Sequence, residues 1–207
     1  METATVHRRG KAIRERILAT IILAIASPVF LLCAIAIKLE GIFRPSARGP
    51  LFLHEERVCQ GRKFQLIKFR TLDRNAVGEL STEAHIATHE RRGRWTKVGW
   101  HLHQWYLDEL PQFWNIVRGD MYLIGTRPWP VPMYEREMRA GRTWKKDLPA
   151  GLVGPVQSTK GHRTKKSIEY DEEYLHAYRT WPGWKLLLLD LRILLKAGKV
   201  QLEHKGL

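Results

Sequence analysis

The sequence predicts a mainly helical α+β protein. Residues 1–40 form a basic N-terminus and a membrane helix, and residues 41–207 form one small domain with a short antiparallel sheet and amphipathic helices at the membrane interface. Three observations carry this. The run from residue 17 to 37 holds no charged side chain and reaches the roughly 20 apolar residues that a bilayer's hydrocarbon core requires. Two neighbouring strand candidates, at 51–53 and 64–69, stand between turn residues, which gives a hairpin rather than an extended sheet. Toward the C-terminus, apolar residues recur at helical spacing and end in a Leu-rich stretch behind Trp181 and Trp184.

Composition bounds the partners. The 207 residues suit one ordinary domain plus a membrane element. Lys and Arg total 35 against 21 acids, for a net charge of +14, so a polyanionic partner is indicated: anionic lipid, a phosphorylated substrate or nucleic acid. Cys33 lies in the apolar run and Cys59 in a polar segment, which gives no disulfide framework. No internal repeat or low-complexity linker divides the chain.

Arg8, Arg9, Lys11, Arg14 and Arg16 precede the apolar run, and Lys38, Arg44 and Arg48 follow it. A cleaved signal peptide fits poorly, because the run is too long and no small-residue cleavage site follows it. Both flanks carry the positive charge typical of cytoplasmic segments. Ser27-Pro28 lies mid-run, where proline removes a backbone donor and predicts a kink or break. These features favour a segment that enters and leaves on one face. A spanning helix with a proline kink is equally compatible with them, provided Ser or a neighbour satisfies the freed carbonyl.

Gly41, Pro45, Gly49 and Pro50 mark a turn-rich exit from the run. The two strand candidates are joined by a turn at Cys59-Gln60-Gly61. Lys68 and Arg70 flank Phe69, so on a strand they share a face and can hold one anion between them; a solvated strand face is the ordinary alternative. Residues 73–94 are polar and read as a long loop. His85, His89, His101 and His103 lack a Cys or Glu at zinc-like spacing, so a zinc site is not expected.

Residues 107–121 concentrate the candidate chemistry. Pro111 fits the first turn of a short buried helix and Gly119 its C-terminal stop. Asp108 and Glu109 lie just ahead, where unpaired amides and the helix dipole favour ionised carboxylates. Such acids cap helices as a rule, yet an ionised Asp can also bind metal or act as a nucleophile. Tyr122-Leu123-Ile124-Gly125 leads to Arg127, which Pro128 holds in extended backbone. A guanidinium fixed this way suits bidentate phosphate recognition.

Residues 133–147 predict a charged amphipathic helix, and turn residues at 148–155 end it. Lys160, His162, Arg163, Lys165 and Lys166 then form a basic loop within reach of phosphates or anionic lipid. Residues 168–180 predict a helix. The Leu-rich helix at 186–196 has about half the length of a span, so it lies in the core or at the membrane interface.

In order and spacing these motifs resemble one family: the bacterial sugar transferases, or monotopic phosphoglycosyl transferases, which are polyprenyl-phosphate hexose-1-phosphate transferases. The resemblance covers nearly the whole chain. It comprises the basic N-terminus and apolar segment with Ser27-Pro28, then Lys68-Phe69-Arg70-Thr71 and Leu107-Asp108-Glu109-Leu110-Pro111-Gln112. It continues with Asn115 through Met121, Gly125-Thr126-Arg127-Pro128, Pro149-Ala150-Gly151-Leu152-Val153-Gly154 and the Leu-rich C-terminal helix.

The resemblance implies a re-entrant membrane helix broken at Ser27-Pro28, with a catalytic domain on the cytoplasmic face of the bacterial inner membrane. It further implies transfer of a sugar-1-phosphate from a UDP-sugar to polyprenyl (undecaprenyl) phosphate with release of UMP. That reaction is the first membrane step of exopolysaccharide, O-antigen or glycoconjugate synthesis. By the same carry-over Asp108 attacks the sugar-linked phosphate to form a phosphosugar-aspartate, and Glu109 assists. Both acids hold Mg²⁺, which neutralises charge as an anion approaches a diphosphate. Lys68, Arg70, Gln112 and Arg127 are the implied substrate contacts. The sugar, and whether the protein is a homodimer, are left open.

The chain departs from the family pattern at His103, where Arg is usual, at Tyr106, where Ser or Thr is usual, and at Thr126, where Pro is usual. The first puts a phosphate contact in doubt; the last predicts a looser approach to Arg127. Two other functions compete. One is a non-catalytic, membrane-anchored basic module binding anionic lipid or nucleic acid, against which the aromatics do not interleave with basic residues as a stacking platform requires. The other is a transferase that moves the sugar alone and releases UDP. With no G-x-x-x-x-G-K-[ST] or G-x-G-x-x-G motif, a nucleoside triphosphatase or dehydrogenase has no support.

Overall fold

The computed structural model describes residues 2–74, 95–160 and 164–203. The loop expected at 73–94 therefore lies largely outside the described residues, as do His85, His89, His162 and Arg163.

Helix α1, Glu2–Phe43, is a single helix of 42 residues, about 63 Å long at the usual rise per residue. Lys11, Glu15, Ala19, Cys33, Ile37 and Gly41 are buried. They fall on one helical stripe, so α1 lies along the protein rather than projecting from it. The opposite side is apolar and open, with Ile17, Ile21, Ile25, Leu31 and Leu32 exposed. Among the described residues, α1 is the helix long and apolar enough to cross a membrane.

The break predicted at Ser27-Pro28 is not seen: the helix runs through it without interruption. Pro28 has no N–H for the carbonyl of Ala24, four residues earlier. The Ser27 hydroxyl donates to that carbonyl instead, at 2.8 Å, so the orphaned acceptor is satisfied within the helix.

Strands β1, Phe52–Cys59, and β2, Arg62–Phe69, pair antiparallel in register from Phe52 opposite Phe69 to Cys59 opposite Arg62. Gln60 (φ 49°) and Gly61 (φ 74°) make the joining turn, with the positive φ at both positions that suits the strands' twist. β1 runs well past the expected 51–53, because its polar stretch His54-Glu55-Glu56-Arg57 hides the apolar alternation. Helix α2 spans Lys97–Gln104 and α3 spans Gln112–Arg118. Strand β3, Tyr122–Ile124, is followed by β4, Trp129–Pro130, which pairs antiparallel with the free edge of β1. β3 pairs parallel with β5, Gly151–Val153, an addition to the expected antiparallel sheet; three-residue strands carry no periodic signal.

The helix expected at 133–147 is two pieces: α4, Val131–Arg139, and a 3₁₀ turn, Thr143–Asp147, separated by Gly141 at φ 81°. Then come α5, Pro155–Ser158, α6, Ser167–Thr180, and α7, Gly183–Leu202. At 20 residues, α7 outruns the predicted 186–196. Leu186, Asp190, Ile193 and Val200 are buried, while Trp184, Leu188, Leu191 and Leu195 are exposed. The core and interfacial readings thus describe its two faces.

One apolar core gathers Ala19, Leu66, Ile116, Leu123, Ile124, Tyr174 and Ile193. A second joins Cys33 and Ile37 of α1 to Phe69 and Leu102, with Phe30, Phe52 and Phe69 in mutual ring contact. Between them runs a buried polar network. Lys11 bonds to Glu15 and, at 2.7 Å, to Asp190 of α7. Glu15 accepts the Leu123 N–H at 2.8 Å, and the Tyr174 hydroxyl lies 2.8 Å from Asp190 and 3.0 Å from the Ile124 carbonyl.

Behind β4, Lys145 Nζ sits 2.8 Å from Glu137 and 3.4 Å from the centre of the Trp129 ring. Asp171 of α6 is buried with one carboxylate oxygen unpartnered, and burial pushes its carboxyl up to about 7, the charge of Lys145 opposing. Because the folded value lies above the ordinary carboxylate value near 4, the fold favours the protonated acid. That contribution is complete below about pH 4 and is lost as pH rises through 7. Asp171→Asn should therefore melt higher than the wild type at pH 8 and level with it at pH 4, in thermal denaturation of both proteins in one detergent.

Candidate active site

β2 is an edge strand, so its outward backbone groups need partners. Asn115 of α3, wholly buried, supplies them: its Oδ1 accepts the Ile67 N–H at 3.0 Å and its Nδ2 donates to the Gln65 carbonyl at 2.7 Å. Nδ2 also lies 2.9 Å from Asp120 Oδ2. α3 ends at Gly119 in the left-handed conformation expected of it, φ 82°, with the Arg16 guanidinium lying against it. Docked in this way, α3 fixes the 3₁₀ turn Leu107–Glu109 ahead of it. Tyr106 enters that turn at φ 56°, a conformation uncommon outside glycine and asparagine.

The turn separates the two acids. Glu109 Oε1 lies 3.8 Å from Lys68 Nζ. Asp108 is 5% exposed; its Oδ2 is 3.6 Å from His103 Nδ1, and its Oδ1 is buried with no partner among the described residues. His103, on α2, packs its ring against Trp95 with centroids 4.4 Å apart.

Glu109 and Lys68 line a shallow cleft together with Gln112, Arg127, Arg57 and Gln157. Arg127 is exposed there. Burial pushes the Tyr106 phenol up, the charges of Glu109 and Asp108 add to this and Arg127 opposes it, so these groups share one electrostatic neighbourhood. The cations and carboxylates can bind a phosphorylated ligand and present an acid to it. Among the described residues no group of three metal-ligating side chains occurs. Two adjacent carboxylates, one with an unpartnered oxygen, are nonetheless a donor set suited to a hard cation that keeps water and phosphate ligands.

Residues 6–203 match the bacterial sugar transferases. The chain belongs to that family. It is 30% identical over 196 residues to the UDP-glucose:undecaprenyl-phosphate glucose-1-phosphate transferase of Escherichia coli, covering 90% of this chain and 40% of the relative. It is 31% identical over 188 residues to the UDP-N-acetylgalactosamine-undecaprenyl-phosphate N-acetylgalactosaminephosphotransferase of Aeromonas hydrophila, covering 86% and 41%. With a UDP-glucose:undecaprenyl-phosphate glucose-1-phosphate transferase of Caulobacter vibrioides the identity is 30%, covering 89% and 69%. The chain thus spans about two fifths of the length of the first two. These relatives give a non-catalytic basic module no support. With α1, membership makes this a membrane-associated protein.

In this sugar transferase Arg70 departs from its expected role. β2 ends at Phe69, so the shared strand face does not extend to Arg70, which is 2% exposed. Its guanidinium donates to the carbonyls of Pro50 and Leu72 at 2.8 Å each and to that of Ala47. It ties the exit of α1 to the hairpin rather than facing a phosphate. Thr126 departs too: its N–H donates to the Pro149 carbonyl at 2.9 Å and its carbonyl accepts the Gly151 N–H at 2.7 Å. A proline could not donate, so this threonine anchors the approach to Arg127 instead of loosening it.

Asn115, Arg57 and Gln157 were not singled out from the sequence. Asn115 is legible in retrospect as the amide set inside an otherwise apolar run, Phe113 to Val117. Arg57, buried in β1, bonds to Glu55 and lies 3.4 Å from the Pro128 carbonyl, and it sits in a charged stretch that masks it. Nothing in the sequence marks Gln157. Arg70→Lys, which cannot reach three carbonyls, should cost about 2–4 kcal/mol and lower the melting temperature by several degrees. An unchanged melting temperature, read by calorimetry, would return Arg70 to the substrate.

Proposed function

We propose that this sugar transferase moves a sugar-1-phosphate from a UDP-sugar to undecaprenyl phosphate and releases UMP, as the first membrane step in making a polysaccharide or glycoconjugate. One observation carries the reading: Glu109 meets Lys68 of β2 and Arg127 beyond β3 at one cleft, and Asp108 stands beside it in the same 3₁₀ turn. The names of the relatives support the donor and acceptor classes.

Lys68 and Arg127 hold the diphosphate, and Gln112, buried at the start of α3, lines the cleft beside them. The carboxylate of Asp108 attacks the phosphorus bearing the sugar. The bond between that phosphorus and the bridging oxygen breaks, and the oxygen leaves with UMP. An oxygen of the lipid phosphate then attacks the same phosphorus, and Asp108 departs as a carboxylate. Glu109, close to Lys68, orients the incoming phosphate. Asp108 and Glu109 would hold Mg²⁺, which neutralises the phosphate charge that an anionic nucleophile must approach.

The membrane seat follows from packing. Residues near both ends of the apolar run of α1 contact the same domain: Ala19 with Ile193 and Met121, and Cys33 and Ile37 with Phe69 and Leu102. A helix crossing the bilayer would draw that domain into the hydrocarbon. This supports a segment that stays on one face of the membrane; a re-entrant path would require the continuous helix to bend at Ser27-Pro28, and positive charge on both flanks supports the cytoplasmic face of the bacterial inner membrane. Trp105 and Trp114, both exposed, bracket the acids and suit headgroup depth, where a lipid phosphate is presented.

A second assignment exchanges the two acids, since Glu109 lines the cleft and Asp108 does not. UMP release and covalent adduct, measured across a panel of UDP-sugars in nanodiscs, decide between them. Asp108→Asn should abolish both signals; Glu109→Gln should slow turnover by at least about 100-fold and still form adduct. An adduct in Asp108→Asn alone would make Glu109 the nucleophile, and release of UDP in place of UMP would overturn phosphosugar transfer.

A further inference from the structure

The cleft is lined in part by ionic groups, Lys68, Glu109 and Arg127, and in part by neutral ones, Leu66, Leu152 and Gln157. The ionic part is matched to phosphates. The neutral part holds a group that the reaction above leaves unused. Gln157, on the short helix α5, donates through Nε2 to the Leu152 carbonyl at 3.3 Å. That bond sets which way the carboxamide faces, because the flipped amide would oppose two oxygens. Its Oε1 is then a buried acceptor with no partner among the described residues, an arrangement that native proteins keep rare.

Its position is fixed by the backbone around it. A Cβ on Gly154 would stand 2.9 Å from Oε1, 2.5 Å from the Gly125 carbonyl and 3.6 Å from the Arg127 N. Gln157 Oε1 therefore lies against Gly154, whose other side meets the segment that leads to Arg127. An acceptor repels phosphate oxygens, so its complement must be a donor. In a nucleoside diphosphate sugar the donors are the imide N–H of the base and the hydroxyls of the sugars.

We propose that Gln157 is a specificity residue whose Oε1 accepts a hydrogen bond from the uncharged part of the bound UDP-sugar. The proposal rests on the transferase reading above and adds a contact to it. A site built around such an acceptor penalises a ligand lacking the matching donor, since the buried oxygen then stays unpaired.

The test uses the full chain in nanodiscs and compares wild type with Gln157→Ala and Gln157→Met, the second keeping bulk without the acceptor. UMP release is followed with a UDP-sugar panel and with the donor methylated at uracil N3, and melting temperatures are recorded alongside. We expect KM for the preferred UDP-sugar to rise about tenfold in both variants, with kcat within about twofold. If the base is the donor, wild type discriminates against the N3-methyl compound and the variants do not. If a hexose hydroxyl is the donor, N3-methylation affects all three proteins alike and the preference among sugars collapses in the variants. Unchanged KM and unchanged preferences in folded variants overturn the proposal. A wild type that releases no UMP from any donor would fail the transferase reading itself, a result distinct from these.

Discussion

The outward N–H of Ile67 and carbonyl of Gln65 would be unpaired at the edge of β2 without the carboxamide of Asn115. A side chain there does the work of a neighbouring strand, and it can do so only from one position and one rotamer. Because α3 is tied at that point, the turn ahead of it has little freedom. Lys68 lies one residue past Ile67 on β2, so the same bond that docks α3 sets the distance between the acids and their cation. The Asn115 contact with Asp120 carries the constraint on toward β3 and hence to Arg127.

α1 is tied into this frame at two places. Near its start Lys11 and Glu15 join Asp190, Tyr174 and the backbone of Leu123 in a network shielded from water. Near its end Glu40 accepts the first amides of α2, Lys97 N–H at 2.7 Å and Val98 N–H at 2.9 Å, capping the helix that carries His103. Buried charges are costly unless fully bonded, and here nearly every contact reaches a different element. The apolar helix is thus packed into the same frame as the elements that carry the site.

Much of this was legible because local chemistry and final environment agree. Pro111 and Gly119 bound α3 closely, Gln60-Gly61 made the hairpin turn, and the acids fell immediately before a helix, all features set by backbone preference within a few residues. Arg70 was misread because an Arg in a basic, strand-like stretch looks the same whether it meets phosphate or three carbonyls supplied by residues 47, 50 and 72. The β3–β5 pair and the role of Thr126 depend on segments about 25 residues apart, and Gln157 on a tertiary cleft. Pattern within one element cannot reach these. The reading of α7 fell short differently: the Leu-rich run ends near 196, yet packing of one face, with Val200 buried, carries the helix on to Leu202.

The division between the two acids has a geometric origin. In a 3₁₀ turn consecutive side chains are about 120° apart, so Asp108 and Glu109 cannot face one ligand equally. One points its carboxylate at Lys68 and the cleft, and the other is held inside beside His103. The longer side chain meets the solvent-facing cation, and the shorter keeps an unpartnered oxygen in a buried setting. Asp108 thus keeps a buried oxygen that no described residue engages, whereas Glu109 already faces Lys68. Burial and an oxygen without a partner among the described residues, not a place in the cleft wall, are what mark Asp108 as the group held ready for a phosphorus or a cation.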